Sequence, residues 1–184
     1  LPEQLESSKG LNMASGDTLF ILTPQAYTPP ASNYATLDTV ADASTPAMSI
    51  PVLDFDGSAD ESADWYVTVP SHYAGGGFTF SYTYAMSSTD GDAVEIEFRA
   101  FPFADASSIL TADLGMDGRT AVNVADDPSA NANEFNITTT GNLSHSNAGS
   151  PAVGAFIIIR ATRDISYASN GNDLQLLAVH VKET

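Results

Sequence analysis

The feature of this sequence that most restricts its fold is a two-residue alternation near the centre of the chain. Within Phe78–Met86, aromatic residues and methionine occupy every second position, and serine, threonine or alanine fills the positions between them. Successive side chains of a β-strand point to opposite faces of the sheet, so this alternation predicts a strand with one buried, aromatic face. Residues 93–101 repeat the pattern, with apolar side chains at Val94, Ile96 and Phe98. Such patterns favour a core built between sheets.

The two alternating segments are expected to form one long antiparallel β-hairpin. Asp90 and Gly91 lie between them, and an Asp-Gly pair is a frequent two-residue turn in hairpins. In this interpretation residues 78–86 pair with residues 93–101. The rings expected in the core are those of Phe78, Phe80, Tyr82 and Tyr84. The side chains expected to face water are those of Glu95, Glu97 and Arg99.

Shorter apolar runs bounded by turn residues predict further strands along the rest of the chain. Asp occurs 16 times against 7 Glu and 2 Lys, a composition typical of strands joined by turns rather than of helices. We expect about eight to ten strands and no amphipathic helix, and we predict an all-β fold, a two-sheet antiparallel sandwich of jelly-roll type. The runs expected to be strands include Thr18–Leu22, Ile50–Phe55, Asp64–Val69, Glu134–Thr140, Gly154–Arg163 and Leu174–Lys182.

The chain is predicted to consist of an extended N-terminal arm, residues 1–16, and a β-sandwich domain, residues 17–184. The arm is polar and has no strand period, so it cannot build a core of its own. We expect it to act as a tether that is ordered only by contact with another chain. The apolar side chains available for docking are those of Leu1, Leu5, Leu11 and Met13.

The charge balance limits the classes of partner. There are 23 acidic and 6 basic residues, which give a formal net charge of −17. Phosphate contacts need clustered Lys and Arg, so no nucleic acid is expected as a partner, and no membrane surface either. No apolar run approaches the roughly 18 residues of a membrane-spanning helix. The chain has no cysteine, which excludes disulfides, thiolate catalysis and cysteine-bound metals.

Residue patterns that carry catalysis are missing from the sequence. His72, His145 and His180 are isolated from one another, whereas a metal site on strands would need spaced His and carboxylate ligands. There is no nucleophile elbow of the G-x-S-x-G type and no phosphate-binding loop. The run Gly75–Gly77 is interpreted as a turn that leads into a strand. We therefore predict no enzymatic activity, no catalytic residue, no cofactor and no bound metal.

Three features have alternative interpretations. The acidic segment Asp54–Glu61 has the hard oxygen ligands that calcium prefers, but it lacks the order of an EF-hand loop, so a solvated acidic turn is favoured. The aromatic stripe of Phe78–Met86 is typical of a sandwich core, whereas an exposed stripe would be a platform for stacking sugar rings. Glu95 and Glu97 share one strand face and are compatible with the carboxylate pair of a glycosidase, but a solvent-facing pair is favoured.

Four segments are distinctive in their residue order rather than in a period. They are Pro30–Thr39, Pro51–Asp56 continued by Asp60–Ala63, Tyr73–Gly77, and Arg163–Asp164 with Val181–Thr184. Together they resemble a family of small β-sandwich structural proteins found in tailed phages and in aquatic metagenomes. The resemblance extends from about residue 24 to the C-terminus, apart from residues 47–50 and 102–150. It implies a role in the virion, such as capsid decoration, and it brings no catalytic residues.

From this resemblance we expect a non-enzymatic structural protein of a virion, a capsid decoration (cement) subunit on the particle surface. Its partners would be capsid or other structural proteins and further copies of itself, a homo-oligomer in which a trimer matches the three-fold points of a capsid. One alternative is an extracellular filament or tail-fibre subunit that assembles by strand addition. A second alternative is a carbohydrate-binding β-sandwich module, which needs two or three coplanar aromatic rings exposed to solvent.

Overall fold

The computed structural model describes residues 15–88, 92–105, 115–167 and 170–184. Within these ranges the chain forms ten β-strands and one turn of 3₁₀ helix, Pro24–Ala26, and contains no helix with the length and apolar character of a membrane span. The all-β class predicted from the sequence is confirmed. The strands are β1 Thr18–Leu22, β2 Thr36–Ala41, β3 Ser49–Phe55, β4 Glu61–Thr68, β5 Phe78–Met86, β6 Val94–Pro102, β7 Val122–Asp126, β8 Asn136–Thr139, β9 Phe156–Arg163 and β10 Leu174–Glu183.

The strands form two antiparallel sheets packed face to face. The six-stranded sheet has the order β2-β3-β10-β5-β8, with β1 also paired to β10, and the four-stranded sheet has the order β4-β9-β6-β7. From β3 onward the chain crosses between the sheets at every connection except β6 to β7, which pair as neighbours. Eight strands in this order make the two Greek keys of a jelly roll, as predicted.

The predicted hairpin between β5 and β6 is wrong, although both strands form where the alternation placed them. β5 pairs with β10 and β8 in one sheet, and β6 pairs with β9 and β7 in the other. Their apolar faces meet across the core instead, where the rings of Phe80 and Phe98 stack with centroids 4.5 Å apart. A two-residue period shows that one face of a strand is buried, but it does not distinguish a neighbour in the sheet from a partner on the opposite sheet. The turn predicted at Asp90 and Gly91 lies outside the described residues.

The core lies between the inner faces of the two sheets. The aromatic stripe of β5 is fully buried, which confirms its interpretation as core. Two of the buried aromatic residues form hydrogen bonds at the margin of the core, whereas the Tyr82 hydroxyl is buried without a hydrogen-bond partner. The Trp65 indole donates to the carbonyl of Thr23 at 2.9 Å, and the Tyr84 hydroxyl donates to Asp126 at 2.7 Å. The buried rings of the stripe are those of Phe78, Phe80, Tyr82 and Tyr84.

Glu95 and Glu97 are not in water, contrary to the prediction for this face of β6. Both lie on the outer face of the four-stranded sheet, yet only 6% and 8% of their surfaces are exposed. Glu95 accepts a hydrogen bond from the Asn123 side chain, and Glu97 pairs with Arg99 at 2.6 Å. This outer face is therefore partly covered, and its charged groups are paired within it. Alternation separates the two faces of a strand, but it carries no information about loops that return over one of them.

The glycine run before β5 is explained by close packing against the C-terminus. The buried carboxylate of Glu183 accepts hydrogen bonds from the backbone N–H groups of Ala74 and Gly76. A Cβ at Gly76 would lie 2.1 Å from the carbonyl oxygen of Thr184, and Gly77 is equally tight against a neighbouring loop. The turn predicted to lead into a strand is present, and glycine is required there because no side chain fits.

The boundary predicted between arm and domain falls only partly within the described chain. Residues 1–14 lie outside the described residues. Gly16 is already bonded to the end of β10, because its N–H donates to the carbonyl of Glu183 at 2.6 Å. The Glu183 N–H in turn donates to the carbonyl of Asp17 at 3.0 Å. The sheet therefore holds the chain from Gly16 onward, and the tether role of the arm stays a prediction.

The stack of Phe80 on Phe98 leads to a prediction about stability. Either Phe→Ala change leaves a cavity in the core, so each should lower the free energy of unfolding by about 3–5 kcal/mol. Because the rings contact each other, a double-mutant cycle should show a coupling of about 0.5–1.5 kcal/mol. Urea unfolding measures both quantities. The control is Tyr167→Ala, at a residue that is 67% exposed, and it should change stability by less than about 0.5 kcal/mol. If the two substitutions lowered the free energy of unfolding by fully additive amounts, the result would contradict a direct contact between the rings.

Candidate functional site

The outer face of the four-stranded sheet brings together aromatic, charged and hydroxyl side chains. The strands β4, β9 and β6 lie side by side, and their register sets outward side chains opposite one another in rows. Neighbouring rows are two residues apart along each strand, or about 7 Å. The aromatic row contains Tyr66, Ile158 and Phe101, the charged row Asp64, Arg160 and Arg99, and the polar row Ser62, Thr162 and Glu97.

Three rings at one end of this face form the aromatic platform: Tyr66 on β4, Phe156 on β9 and Phe103 just beyond β6. Their centroids are 5.9, 5.4 and 6.4 Å apart, and their planes lie within 20–31° of parallel. Three similar separations form a triangle, so the rings cannot be stacked as a single column. Tyr66 and Phe156 are 44% and 48% exposed, and contiguous exposed aromatic surface of this kind is typical of a binding site.

The rings face outward for a reason that is local to the sequence. Trp65 and Tyr66 are consecutive on a strand, so when Trp65 enters the core, Tyr66 must face away from it. Phe156 begins an apolar run that β9 can accommodate on both faces as the strand between β4 and β6. The two-residue alternation in the sequence does not identify the platform. It identifies the aromatic stripe of β5, in which every ring is buried. A pair of consecutive aromatic residues in a strand is the signal that identifies Tyr66.

The charged row next to the platform is held by a bidentate ion pair. Arg160 donates from Nε and Nη2 to the two carboxylate oxygens of Asp64, at 2.7 and 2.9 Å. Asp64 is almost fully buried, and its hydrogen bonds raise the pKa of the Arg160 guanidinium above its ordinary value. This geometry fixes both side chains in one orientation, so their remaining donors and acceptors point in defined directions. On the other side of Arg160, Arg99 pairs with Glu97 at 2.6 Å.

Two loops turn this face into a groove of about 430 Å³, the polar groove. One wall is the segment Pro30–Asn33, which is fixed to the edge strand β4 because the N–H of Ser62 donates to the carbonyl of Asn33 at 2.8 Å. The other wall is the turn after Gly115, where the exposed carboxylate of Asp117 lies 3.5 Å from Arg160. The floor of the polar groove is formed by Ser62, Arg99, Arg160 and Thr162.

The platform and the groove also offer hydroxyl groups. Burial raises the pKa of the Tyr66 hydroxyl above its ordinary value, and the Asp64 carboxylate adds to the shift. The hydroxyl therefore stays protonated at physiological pH and can both donate and accept hydrogen bonds. In the groove, the hydroxyls of Ser62 and Thr162 contact each other at 2.9 Å. This face thus combines apolar ring surface with closely spaced donors and acceptors.

The histidines singled out in the sequence lie in different environments. His145 contacts the Tyr73 hydroxyl through Nδ1 at 3.0 Å, and His180 on β10 lies opposite Ser81 on β5. His72 is half-buried in the turn after β4. In the part of the chain that the structure describes, no group of three or more His, Asp or Glu side chains is placed to hold a metal ion.

The acidic turn Asp54–Glu61, the alternative calcium site, is bonded to the protein's own donors. Asp56 accepts a hydrogen bond from the N–H of Ser58, and Glu61 accepts one from the N–H of Asp56. The buried guanidinium of Arg163 lies behind the turn and donates to two backbone carbonyls. Burial lowers the pKa of Arg163, and the surrounding carboxylates act against that shift. Arg163 thus lies near the carboxylates of the turn, while its hydrogen bonds go to backbone carbonyls.

Solved structures similar to this chain include carbohydrate-binding β-sandwich domains at low sequence identity. No protein-family model matches the sequence, and no curated protein matches it. The xylan-binding domain of Paenibacillus barcinonensis Xyn10C is 10% identical, with 93% of this chain and 97% of that chain covered and a TM-score of 0.48. The carbohydrate binding module of Cellvibrio mixtus lichenase 5A, in complex with cellotriose, is 13% identical, with 91% and 99% covered and a TM-score of 0.43. Matches this distant establish neither a family nor a ligand for this chain.

Asp54, in the acidic turn, leads to a prediction about pH. Burial, with the carboxylates of Asp173 and Asp38, raises its pKa to about 6, and one of its carboxylate oxygens is buried without a hydrogen-bond partner. A carboxyl group whose pKa is higher in the folded than in the unfolded state makes the fold less stable as the pH rises from about 4 to 6. Asp54→Asn removes this ionisation, so its melting temperature relative to the wild type should rise across that range and then level off.

The matched control for this measurement is Asp56→Asn. Hydrogen bonds from Ser58 lower the pKa of Asp56, so ionisation of this group stabilises the fold and the sign is reversed. The melting temperature of Asp56→Asn relative to the wild type should therefore fall as the pH rises through the acidic range. A difference between Asp54→Asn and the wild type that does not depend on pH would show that Asp54 titrates normally.

Proposed function

We propose that the protein binds a carbohydrate across the aromatic platform and the polar groove. The observation that carries this proposal is the continuity of the two surfaces. The exposed ring of Tyr66 lies near-parallel to that of Phe156, and it is two residues along β4 from Asp64, the partner of Arg160. The exposed, near-parallel rings that a carbohydrate-binding module requires are present on this face.

A sugar ring has two kinds of surface, and this face matches both. Its C–H groups form an apolar patch of partial positive charge, which stacks on the electron-rich face of an aromatic ring. Its hydroxyls surround the rim, and each can both donate and accept hydrogen bonds. The platform supplies ring faces, while Arg160, held by Asp64, and Ser62, paired with Thr162, supply donors and acceptors beside it. Because these side chains are already held in pairs, binding requires little further ordering.

Removal of the platform tests this function. Tyr66→Ala and Phe156→Ala should each weaken binding to a recognised polysaccharide by about tenfold or more, because a stacking contact is lost. Affinity gel electrophoresis against a panel of polysaccharides measures the change. Tyr167→Ala is the matched control, because Tyr167 is 67% exposed and lies beyond the end of β9 opposite to Phe156. Undiminished binding by both platform variants would contradict the site.

An assembly role, the function expected from the resemblance to virion proteins, is our second candidate. The observation that favours it is an apolar groove of about 300 Å³ on the outer face of the six-stranded sheet. Met48 and Phe135 at this groove are more than half exposed, and exposed apolar surface of this kind marks a protein contact. The apolar side chains of the groove include Val40, Met48, Ile50, Val52, Phe135 and Leu177.

We propose that the apolar groove receives residues 1–14 of a neighbouring copy. This segment contains the four apolar side chains expected to dock, and it joins the sheet at Gly16 beside the C-terminal end of β10. The groove is lined by Leu177, about 20 Å away along that strand. This polar segment is expected to be ordered only by contact with another chain, so we assign it to a neighbouring copy. Head-to-tail contacts of this kind close into a ring, such as a capsid-decorating trimer, or extend into a filament.

Deletion of residues 1–14 tests the assembly role. The truncated protein should keep its melting temperature, because the strands that enclose the described core begin at Thr18, but its oligomeric state measured by light scattering should fall. Phe135→Asp in the full chain should have the same effect, because it places a charge in the apolar contact. Tyr167→Asp serves as the control for added surface charge. A full chain that is monomeric, or an oligomer that survives both changes, would argue against this contact.

A further inference from the structure

We infer that the ligand of the aromatic platform and the polar groove is a neutral oligosaccharide, a chain of sugars without carboxylate or sulfate groups. The inference rests on the proposed carbohydrate-binding function and specifies the class of ligand. It follows from the way in which the arginines of this face are paired.

Half of the basic residues of the chain lie on this one face. The sequence contains 6 Lys and Arg residues in total, and Arg99, Arg119 and Arg160 are all beside the platform or the groove. In a protein with 23 acidic residues, such a concentration of positive charge would by itself suggest a site for an anionic sugar. The contacts of the three guanidinium groups lead to the opposite conclusion.

The two arginines in the floor of the groove are engaged by carboxylates of the protein. Arg160 forms its bidentate pair with Asp64 at 2.7 and 2.9 Å, and it lies 3.5 Å from Asp117. Arg99 pairs with Glu97 at 2.6 Å. Asp64 and Glu97 are both buried, so these two carboxylates depend on the arginines for their stability inside the protein.

The third arginine is used by the platform. The Arg119 guanidinium lies 4.3 Å from the centroid of the Phe101 ring, a cation–π contact. Phe101 in turn meets Phe103 edge to face, with centroids 5.4 Å apart. The carbonyl of Arg119 accepts a hydrogen bond from Arg99 Nε at 3.2 Å, which ties this turn to the floor of the groove. Arg119 therefore supports the edge of the platform.

The local charge balance disfavours an anionic ligand. Two arginines of the groove are accompanied by four carboxylates, two that pair with them, Asp64 and Glu97, and two on its walls, Asp60 and Asp117. An incoming carboxylate or sulfate would approach guanidinium groups whose charge is already balanced by Asp64 and Glu97, and it would compete with these buried carboxylates for their partners. It would also approach a protein of net charge −17. Repulsion and unpaired charge are the means by which a site rejects a ligand.

A neutral sugar can use the same pairs without breaking them. A hydroxyl accepts a hydrogen bond from a guanidinium N–H and donates one to a carboxylate oxygen, so Arg160 and the exposed carboxylate of Asp117, which lie 3.5 Å apart, meet both of its needs. The site extends from Tyr66 to Ser62, about 13 Å along β4, which is longer than one sugar ring. The ligand is therefore an oligosaccharide or a segment of a polysaccharide rather than a single sugar.

The experiment measures how the protein of residues 1–184 binds neutral and anionic polymers that share the same backbone. The pairs are dextran with dextran sulfate, and hydroxyethylcellulose with carboxymethylcellulose, supplemented by neutral xylan, mixed-linkage β-glucan and galactomannan and by anionic polygalacturonate. Affinity electrophoresis measures binding at about 50 and about 500 mM salt. We expect binding to at least one neutral polymer, at least about tenfold tighter than to any anionic polymer, and changed by less than about twofold between the two salt concentrations.

The outcomes separate this inference from the function on which it rests. Preferential binding of an anionic polymer, weakened by salt and dependent on Tyr66, would overturn the inference and leave carbohydrate binding intact. Binding of none of these polymers would overturn the proposed function and the inference with it. Asp117→Lys is a second test, because it removes one wall carboxylate and adds a cation at an exposed position. It should raise the affinity for anionic polymers, and if it does not, charge is not what limits their binding.

Discussion

The two sheets are joined by aromatic packing between strands that are neighbours in neither sheet. Phe80 on β5 stacks on Phe98 of β6 at 4.5 Å, and Tyr82 contacts the same ring at 5.5 Å. With β5 and β6 facing each other across the core, the chain must cross from one sheet to the other between them. This crossing distinguishes a jelly roll from a meander of adjacent hairpins. The faces left pointing outward, on which both proposed functions depend, follow from the same arrangement.

The two outer faces differ because different segments return over them. On the four-stranded sheet, Asp64 and Glu97 are buried on the outer face, and a buried carboxylate must be paired, so Arg160 and Arg99 are held in the floor of the groove. On the six-stranded sheet, one end of the outer face carries the apolar groove that includes Phe135. The surfaces proposed for carbohydrate binding and for assembly therefore lie on opposite sides of the sandwich, and the two proposals are compatible in one molecule.

The segments that carry the resemblance to virion proteins are engaged mainly in packing. The acidic turn Asp54–Glu61 lies near the buried guanidinium of Arg163, which donates to the carbonyl of Phe55, and the glycine run before β5 closes on the carboxylate of Glu183. The first segment and the continuation of the second reach the candidate site, where Pro30–Asn33 forms a wall of the polar groove and Asp60 and Ser62 also line it. Most of these residues therefore stabilise the packing at the ends of the sandwich. They do not by themselves indicate what the protein binds.

The strands, the all-β class and the burial of the aromatic rings of β5 follow from the sequence by itself, because a two-residue period is a local property of a strand. The jelly-roll type is predicted from the number of strands, since eight strands in two sheets favour it. Tertiary structure alone decided that β5 and β6 face each other instead of pairing, and that Glu95 and Glu97 are covered. It also decided that Tyr66, Phe103 and Phe156 meet. These outcomes depend on which distant strands become neighbours and on where the loops return, and no local period records contacts between residues so far apart in the chain.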